Sequence, residues 1–176
     1  MAGVGVVLAL VLSAAFGAGD QYLGSFSMHP WMADISLLSA PWLLLPFLAG
    51  LTQREAKRAA LLGLGCTFAA LVGYGLMTLS PVENAHLTAA GARGFVISSN
   101  RDFIGGLVTG PVFAWLGYRW RVHRDWLAAL APAVALCLEP LAHVVRSHTV
   151  RLAEIAAGLA LAGYFAVSVA ARERAR

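Results

Sequence analysis

The sequence contains few charged residues and almost no cysteine. Charged side chains make up 12% of the 176 residues, and there are only two cysteines. A soluble domain usually carries about 25% charged residues, so this composition excludes a water-soluble globule. A disordered chain is excluded as well, because disorder requires high charge and low hydrophobicity. Two cysteines are too few for a small secreted module held by disulfides.

Motifs that bind phosphate or metal, or that activate a nucleophile, are also missing. The sequence has no P-loop, no GxGxxG, no aspartate-rich DDxxD segment, no HExxH and no GxSxG. A zinc site would have to combine Glu139, His143, His148 and Glu154, without the spacing of a known motif. The sequence therefore predicts neither a metal nor another cofactor.

Long apolar stretches dominate what is present. Apolar residues make up 59% of the chain, and a bilayer-spanning helix needs roughly 20 of them in succession. Six candidate spans can be marked, at about 4–23, 35–51, 59–80, 102–118, 126–145 and 152–171. The second and fourth are short and contain prolines, which membranes tolerate where neighbouring helices satisfy the freed backbone groups. The sequence predicts an all-α, six-helix transmembrane bundle that forms one integral membrane domain over residues 1–176.

The basic residues predict the orientation of this bundle. If there are six spans, nine of the thirteen lie on one side: Arg54, Lys57, Arg58, Arg119, Arg121, Arg124, Arg172, Arg174 and Arg176. Lys and Arg accumulate in cytoplasmic connections, so we expect both termini in the cytoplasm and the protein in a bacterial cell membrane. The same asymmetry explains the net charge of +4. No basic face for nucleic acid is predicted.

Acidic residues gather on the opposite side, and Glu139 is the most informative of them. It follows Trp126 by thirteen residues, or about 20 Å of helix rise, which places it within the hydrocarbon. Carboxyl groups at such depth usually face a bundle interior or a cavity. They favour the neutral form, which can donate a proton. His143 lies four residues further on, on the same helix face.

Two interpretations of Glu139 remain open. It is either a functional acid or a structural residue paired with His143 or Arg146. Asp20 is a second candidate acid near the end of the first span, although an interfacial aspartate that caps or solvates the helix end is the favoured interpretation. We expect Glu139, His143 and Asp20 to be the catalytic residues and to converge on one pocket in the outer half of the bundle.

The expected ligand of this pocket is apolar. Only four amide side chains occur in the whole chain, whereas a polar ligand requires several placed hydrogen-bonding groups. Aromatic residues are plentiful at membrane depth, and an arginine near the pocket offers a contact for an anionic group. The predicted substrate-binding residues are Phe16, Trp42, Tyr74, Phe103, Phe113 and Arg101.

Two strings of residues carry a resemblance to other proteins. Residues 39–44 (Ser-Ala-Pro-Trp-Leu-Leu) and 110–113 (Gly-Pro-Val-Phe), with Gly117 and 120–121 (Trp-Arg), resemble an uncharacterised group of small actinobacterial multi-pass membrane proteins. The resemblance covers most of the chain and implies no activity. In plan alone, the chain is similar to small integral-membrane terpene cyclases and to the substrate-binding components of energy-coupling-factor vitamin importers.

Three functional hypotheses follow. The first is a metal-independent terpene cyclase or isomerase that protonates a lipophilic, isoprenoid-like substrate, whose cation the aromatic faces stabilise. The second is a small-solute binding or transport protein in which Glu139 and His143 contact the ligand or couple protons. The third is a structural partner whose polar groups only orient helices. The expected partners are a lipophilic small molecule and membrane lipid, and no protein partner is predicted.

Overall fold

The fold is entirely helical within the part of the chain that the structure describes. This computed structural model describes residues 2–26, 29–142 and 147–173, and no strand occurs in these ranges. The α-helices are α1 (Ala2–Gly24), α2 (Pro30–Ser36), α3 (Ala40–Leu51), α4 (Ala56–Thr78), α5 (Ala89–Ser98), α6 (Asn100–His123), α7 (Trp126–Ala142) and α8 (His148–Glu173). A short 3-10 turn, Pro81–Glu83, precedes α5.

Three of the described helices are long and apolar enough to cross a membrane. They are α1, α4 and α8, and each carries an apolar segment of 22 to 24 residues. Helices α3 and α7 are apolar but shorter. Helix α6 has 24 residues and carries polar side chains at both ends. The all-helical prediction is confirmed, and the long apolar helices are compatible with insertion into a membrane.

The second predicted span differs from the helices in the structure. The sequence suggested one helix over 35–51, but α2 ends at Ser36 and α3 begins only at Ala40. Pro41 lies in the first turn of α3. Because proline has no backbone N–H, it cannot extend the hydrogen bonding of a preceding helix, whereas it is well suited to start a new one. The helix is therefore broken inside the predicted span.

Contacts between helices establish their relative directions. Helices α3 and α6 are parallel, since Phe47 meets Gly117 and, one turn further on in both, Leu51 meets Arg121. Helices α1 and α4 are parallel as well, because positions 10, 13 and 17 lie beside positions 65, 66 and 70. Positions 63 and 67 of α4 contact positions 114 and 106 of α6, which makes these two helices antiparallel.

Helix α7 is antiparallel to α3 and α8. Its residue Glu139 contacts the start of α3, whereas positions 128 and 129 pack in a cluster with Phe47 near the end of α3. Gly158 of α8 lies against positions 133 to 137 of α7, and Phe165 lies against positions 128 and 129. Consequently α1, α4 and α7 run in one direction, and α3, α6 and α8 run in the other.

This arrangement gives the bundle two chemically different ends. The end where α3 meets α4 and α6 meets α7 carries the arginine-rich connections, and we call it the arginine end. Its basic residues are Arg54, Lys57, Arg58, Arg119, Arg121 and Arg124. The opposite end, where α3 and α8 begin, carries four buried carboxyl groups, and we call it the acidic end. Those groups belong to Asp20, Asp34, Glu139 and Glu154.

Candidate functional site

Glu139 binds the exposed start of a broken helix. The first N–H groups of any α-helix have no partner within the helix. The backbone N–H groups of Ser39 and Ala40 both donate to the Glu139 carboxylate, the second over 2.5 Å. A negative charge at this position is further stabilised by the positive end of the α3 dipole. The carboxyl group of Glu139 therefore has a clear structural reason to lie inside the bundle.

Glu154 lies directly beside Glu139 and has no comparable anchor. The antiparallel packing of α7 and α8 brings the two carboxyl groups close together. Glu154 is only 5% exposed, and among the described residues no N–H or O–H group donates to either of its carboxyl oxygens. Two carboxyl groups form a hydrogen bond only when one of them carries a proton. The pair is therefore suited to hold one proton.

An apolar groove opens next to this pair. It has a volume of about 590 Å³ and lies between α2, α3 and the α7–α8 hairpin. Most of its wall is hydrocarbon or aromatic, from side chains that include Trp31, Ile35, Leu38, Leu44, Leu136 and Val150. Among the described residues, Glu154 is the one ionisable side chain on that wall, and Thr149 adds a hydroxyl. The groove has the size of a small-molecule site and presents an acid to an apolar ligand.

Asp20 lies in a separate, aromatic environment. The indole N–H of Trp42 donates to its carboxylate over 3.2 Å, and Asp20 is 7% exposed. The Trp42 ring makes edge contacts with Phe16 and Tyr74, at centroid distances of 5.4 and 6.0 Å. Phe95 of α5 connects Tyr74 to Phe103. These rings pack against one another around the acid.

The structure therefore separates the predicted site residues into groups. Phe16, Trp42 and Tyr74 pack beside Asp20, and Phe95 links Phe103 to them, whereas Glu139 binds the backbone at the start of α3. Phe113 packs with the Phe47 and Trp120 cluster towards the arginine end. Arg101 is exposed at the start of α6. His143, and the Arg146 suggested as a partner of Glu139, lie outside the described residues.

A further buried acid fixes the start of α8. The Asp34 carboxylate accepts a hydrogen bond from the backbone N–H of Ser147 over 2.6 Å, which ties α2 to the residue just before α8. Asp34 is 4% exposed. Like Glu139, it satisfies backbone donors at a helix start. Of the buried carboxyl groups at this end, Glu154 is the one without a donor among the described residues.

Sequence reasoning considered Glu154 beside Glu139 only for a zinc site, which it did not predict, and missed the carboxyl pair. The useful signal was the antiparallel hairpin: Glu139 lies three residues before the end of α7 and Glu154 six residues after the start of α8, so both lie close to the same end of the two helices. Phe95 was also missed, because α5 lies within a segment that the sequence analysis left without a helix.

Comparisons and metal-binding geometry add no assignment. The chain matches no protein-family model, no curated protein and no solved structure. Within residues 2–26, 29–142 and 147–173, no three His, Cys, Asp or Glu side chains are grouped so as to hold a metal ion. The functional argument therefore rests on the carboxyl pair and its groove.

Proposed function

We propose that this chain is a six-span membrane protein with both termini in the cytoplasm. The alternating directions of α1, α3, α4, α6, α7 and α8 support six crossings, and the arginine end supports the orientation. Helix α3 has 12 residues, or about 18 Å, so it crosses together with α2 as a broken pair. Reporter fusions at Arg176 and between positions 84 and 88 test this topology. Reporters on the same side of the membrane would contradict it.

We further propose that the protein protonates a lipophilic, isoprenoid-like substrate in the groove beside Glu154. The nearness of the Glu139 carboxyl group to that of Glu154, which lies on the apolar wall of the groove, carries this proposal. Glu139 is held by two backbone N–H groups. It therefore serves as the fixed carboxylate, and Glu154 delivers the proton. A positioned acid in a water-poor site is the requirement for general acid catalysis.

The reaction balances without a cofactor. The proton on Glu154 adds to an alkene carbon, where the π electrons of the C=C bond form the new C–H bond. Alternatively it adds to an epoxide oxygen, where an oxygen lone pair forms the new O–H bond and the electrons of the breaking C–O bond stay on the oxygen. The resulting carbocation closes a ring or shifts its double bond. Loss of a proton from a neighbouring carbon then returns that proton to the carboxylate pair. The product is an isomer of the substrate, as in a terpene cyclase or isomerase.

Binding and transport of a small solute is the second candidate function. The groove opens at the acidic end, opposite the arginines, and under the proposed topology this end faces the outside. A substrate from a biosynthetic pathway would arrive from the cytoplasm, so the position of the groove favours uptake. In this case the carboxyl pair binds the ligand or couples a proton to its movement.

Glu154→Gln is the variant that tests the enzymatic proposal. Glutamine keeps the shape and the hydrogen-bonding capacity of the side chain but removes the proton that is transferred. Membranes with the wild-type or variant protein are given a farnesylated or geranylgeranylated precursor, and the extracts are analysed by mass and chromatography. Chromatography is needed because a cyclised isomer has the mass of its precursor. We expect Glu154→Gln to form no product.

Asp102→Asn is the matched control, since Asp102 is an exposed acid at the same end and outside the groove. It should leave product formation unchanged. If wild-type membranes form product and Glu154→Gln forms the same amount, Glu154 is not the acid. If wild-type membranes form no product but take up or bind the precursor, and Glu154→Gln weakens this binding, the transport function is supported instead.

A further inference from the structure

A second groove lies at the arginine end, far from the carboxyl pair. It has a volume of about 800 Å³ and runs between the first turns of α1 and α4. Its sides are formed by apolar positions that include Val6, Val7, Leu10, Leu61 and Leu62. Polar groups occur only at its mouth, where α3 ends and α4 begins.

Glycines create this groove. A Cβ atom added to Gly3 or Gly5 would meet nothing within 4 Å, and one added to Gly65 would meet only the terminal methyl of Leu10, at 3.2 Å. The floor, by contrast, is closed, because Leu62 is buried in a cluster with Ala49 and Cys66, against which Leu10 packs. The result is an apolar channel on the lipid-facing surface, with a defined floor and a polar mouth.

The mouth of the groove is positively charged. Arg58 lies on its rim, and its Nε forms an exposed ion pair with Glu55 over 2.9 Å. In the described ranges, the two terminal nitrogens of Arg58 form no hydrogen bond or ion pair. The side-chain amide of Gln53 donates one N–H to the hydroxyl oxygen of the adjacent Thr52. Two more cations, Arg54 and Lys57, lie nearby on the chain, so the segment 54–58 has a net charge of +2.

We propose that this groove binds an anionic phospholipid. One acyl chain lies in the apolar channel, and the headgroup phosphate accepts hydrogen bonds from the terminal nitrogens of Arg58. Charge complementarity identifies this occupant, because guanidinium groups bind phosphate in a bidentate manner. The groove is also of ligand size. A zwitterionic lipid would bring its own cation to the same positively charged mouth and bind less tightly.

Titration of the purified full-length protein with lipids tests this proposal. Dioleoyl phosphatidylglycerol and dioleoyl phosphatidylcholine have the same acyl chains, and native mass spectrometry counts the lipids retained on each protein. We expect phosphatidylglycerol to bind at least about fivefold more tightly than phosphatidylcholine. Arg58→Gln should weaken phosphatidylglycerol binding about fivefold, which is the contribution of one basic side chain to binding an anionic lipid. It should leave phosphatidylcholine binding unchanged.

Two further variants separate a site from diffuse attraction. Lys57→Gln removes the same charge from the same helical turn but outside the groove, and it should cost less than twofold. Gly65→Leu fills the channel, and it should weaken the binding of both lipids. Equal affinity for the two lipids, or an equal loss in Lys57→Gln and Arg58→Gln, would overturn the proposal. So would a stable dimer that retains no lipid, because the groove would then be an interface between two copies.

Discussion

The two ends of α3 are held in place by different kinds of interaction. At the acidic end its first turn is held by side-chain carboxylates, Glu139 on the backbone and Asp20 on the Trp42 indole. At the arginine end it is held by direct contact of backbones, with Gly50 against Ala114 and Gly117 against Phe47. The first kind of contact can change when a proton or a ligand binds, whereas the second is fixed by shape. The acidic end can therefore respond to a proton or a ligand, whereas the arginine end is held by shape.

Replacement of Glu139 by alanine should produce the largest effect and tests the first half of this comparison. The N–H groups of Ser39 and Ala40 would lose their acceptor inside the bundle. A hydrogen bond to a charged group contributes about 1.5–3 kcal/mol, and the Glu139 carboxylate accepts two of them, so we expect a loss on the order of 4 kcal/mol in the free energy of unfolding. Denaturation of the purified protein in mixed micelles of detergent measures it.

Glu154→Ala is the matched control for this measurement. Glu154 is equally buried, but among the described residues it accepts no hydrogen bond from an N–H or O–H group. Its removal should therefore cost clearly less than the removal of Glu139. Equal losses in the two variants would mean that the carboxylate of Glu139 does not hold the start of α3.

The next prediction concerns the arginine end. A Cβ atom on Gly50 would overlap the backbone carbonyl of Ala114, so Gly50→Ala should push α3 and α6 apart. Overpacking of this kind costs on the order of 3 kcal/mol, measured by the same denaturation. Gly5→Ala is the control: a Cβ there meets nothing within 4 Å, and alanine is the better helix former. A Gly50→Ala variant as stable as the control would show that this contact adapts.

The sequence predicts the long helices because their signal is local. An apolar stretch of the right length is visible without any knowledge of its neighbours, and the helices α1, α4 and α8 follow from it. The break between α2 and α3 is different. It depends on a carboxylate 99 positions away in the chain, which accepts the N–H of Ala40. A proline at position 41 indicates a weak point, but it does not indicate what stabilises the break.

The candidate site was less accessible for the same reason. Depth in the membrane is nearly local information, and it put Asp20, Glu139 and the aromatic side chains into one predicted pocket. In the structure, Phe16, Trp42 and Tyr74 pack in a chain of rings beside Asp20. The pairing of Glu139 with Glu154 requires the register of two antiparallel helices. Because Glu154 lies near the start of α8, its position alone suggested an ordinary first-turn acid. Only the packing of the two helices reveals a buried carboxyl group beside another one.

The smallest predicted effect concerns the second carboxylate contact of α3. Trp42→Phe removes the indole N–H that donates to Asp20 but keeps an aromatic ring against Phe16 and Tyr74. A hydrogen bond to a charged group contributes about 1.5–3 kcal/mol, and at 3.2 Å we expect the lower value, about 1.5 kcal/mol. A double-mutant cycle with Asp20→Asn isolates this coupling from the loss of ring area. Trp126→Phe is the control, because Trp126 is 60% exposed and the change should stay within about 0.5 kcal/mol. Zero coupling between Trp42 and Asp20 would leave Glu139 as the only carboxylate anchor of α3 at the acidic end, and the proposed division between the two ends would then rest on Glu139 alone.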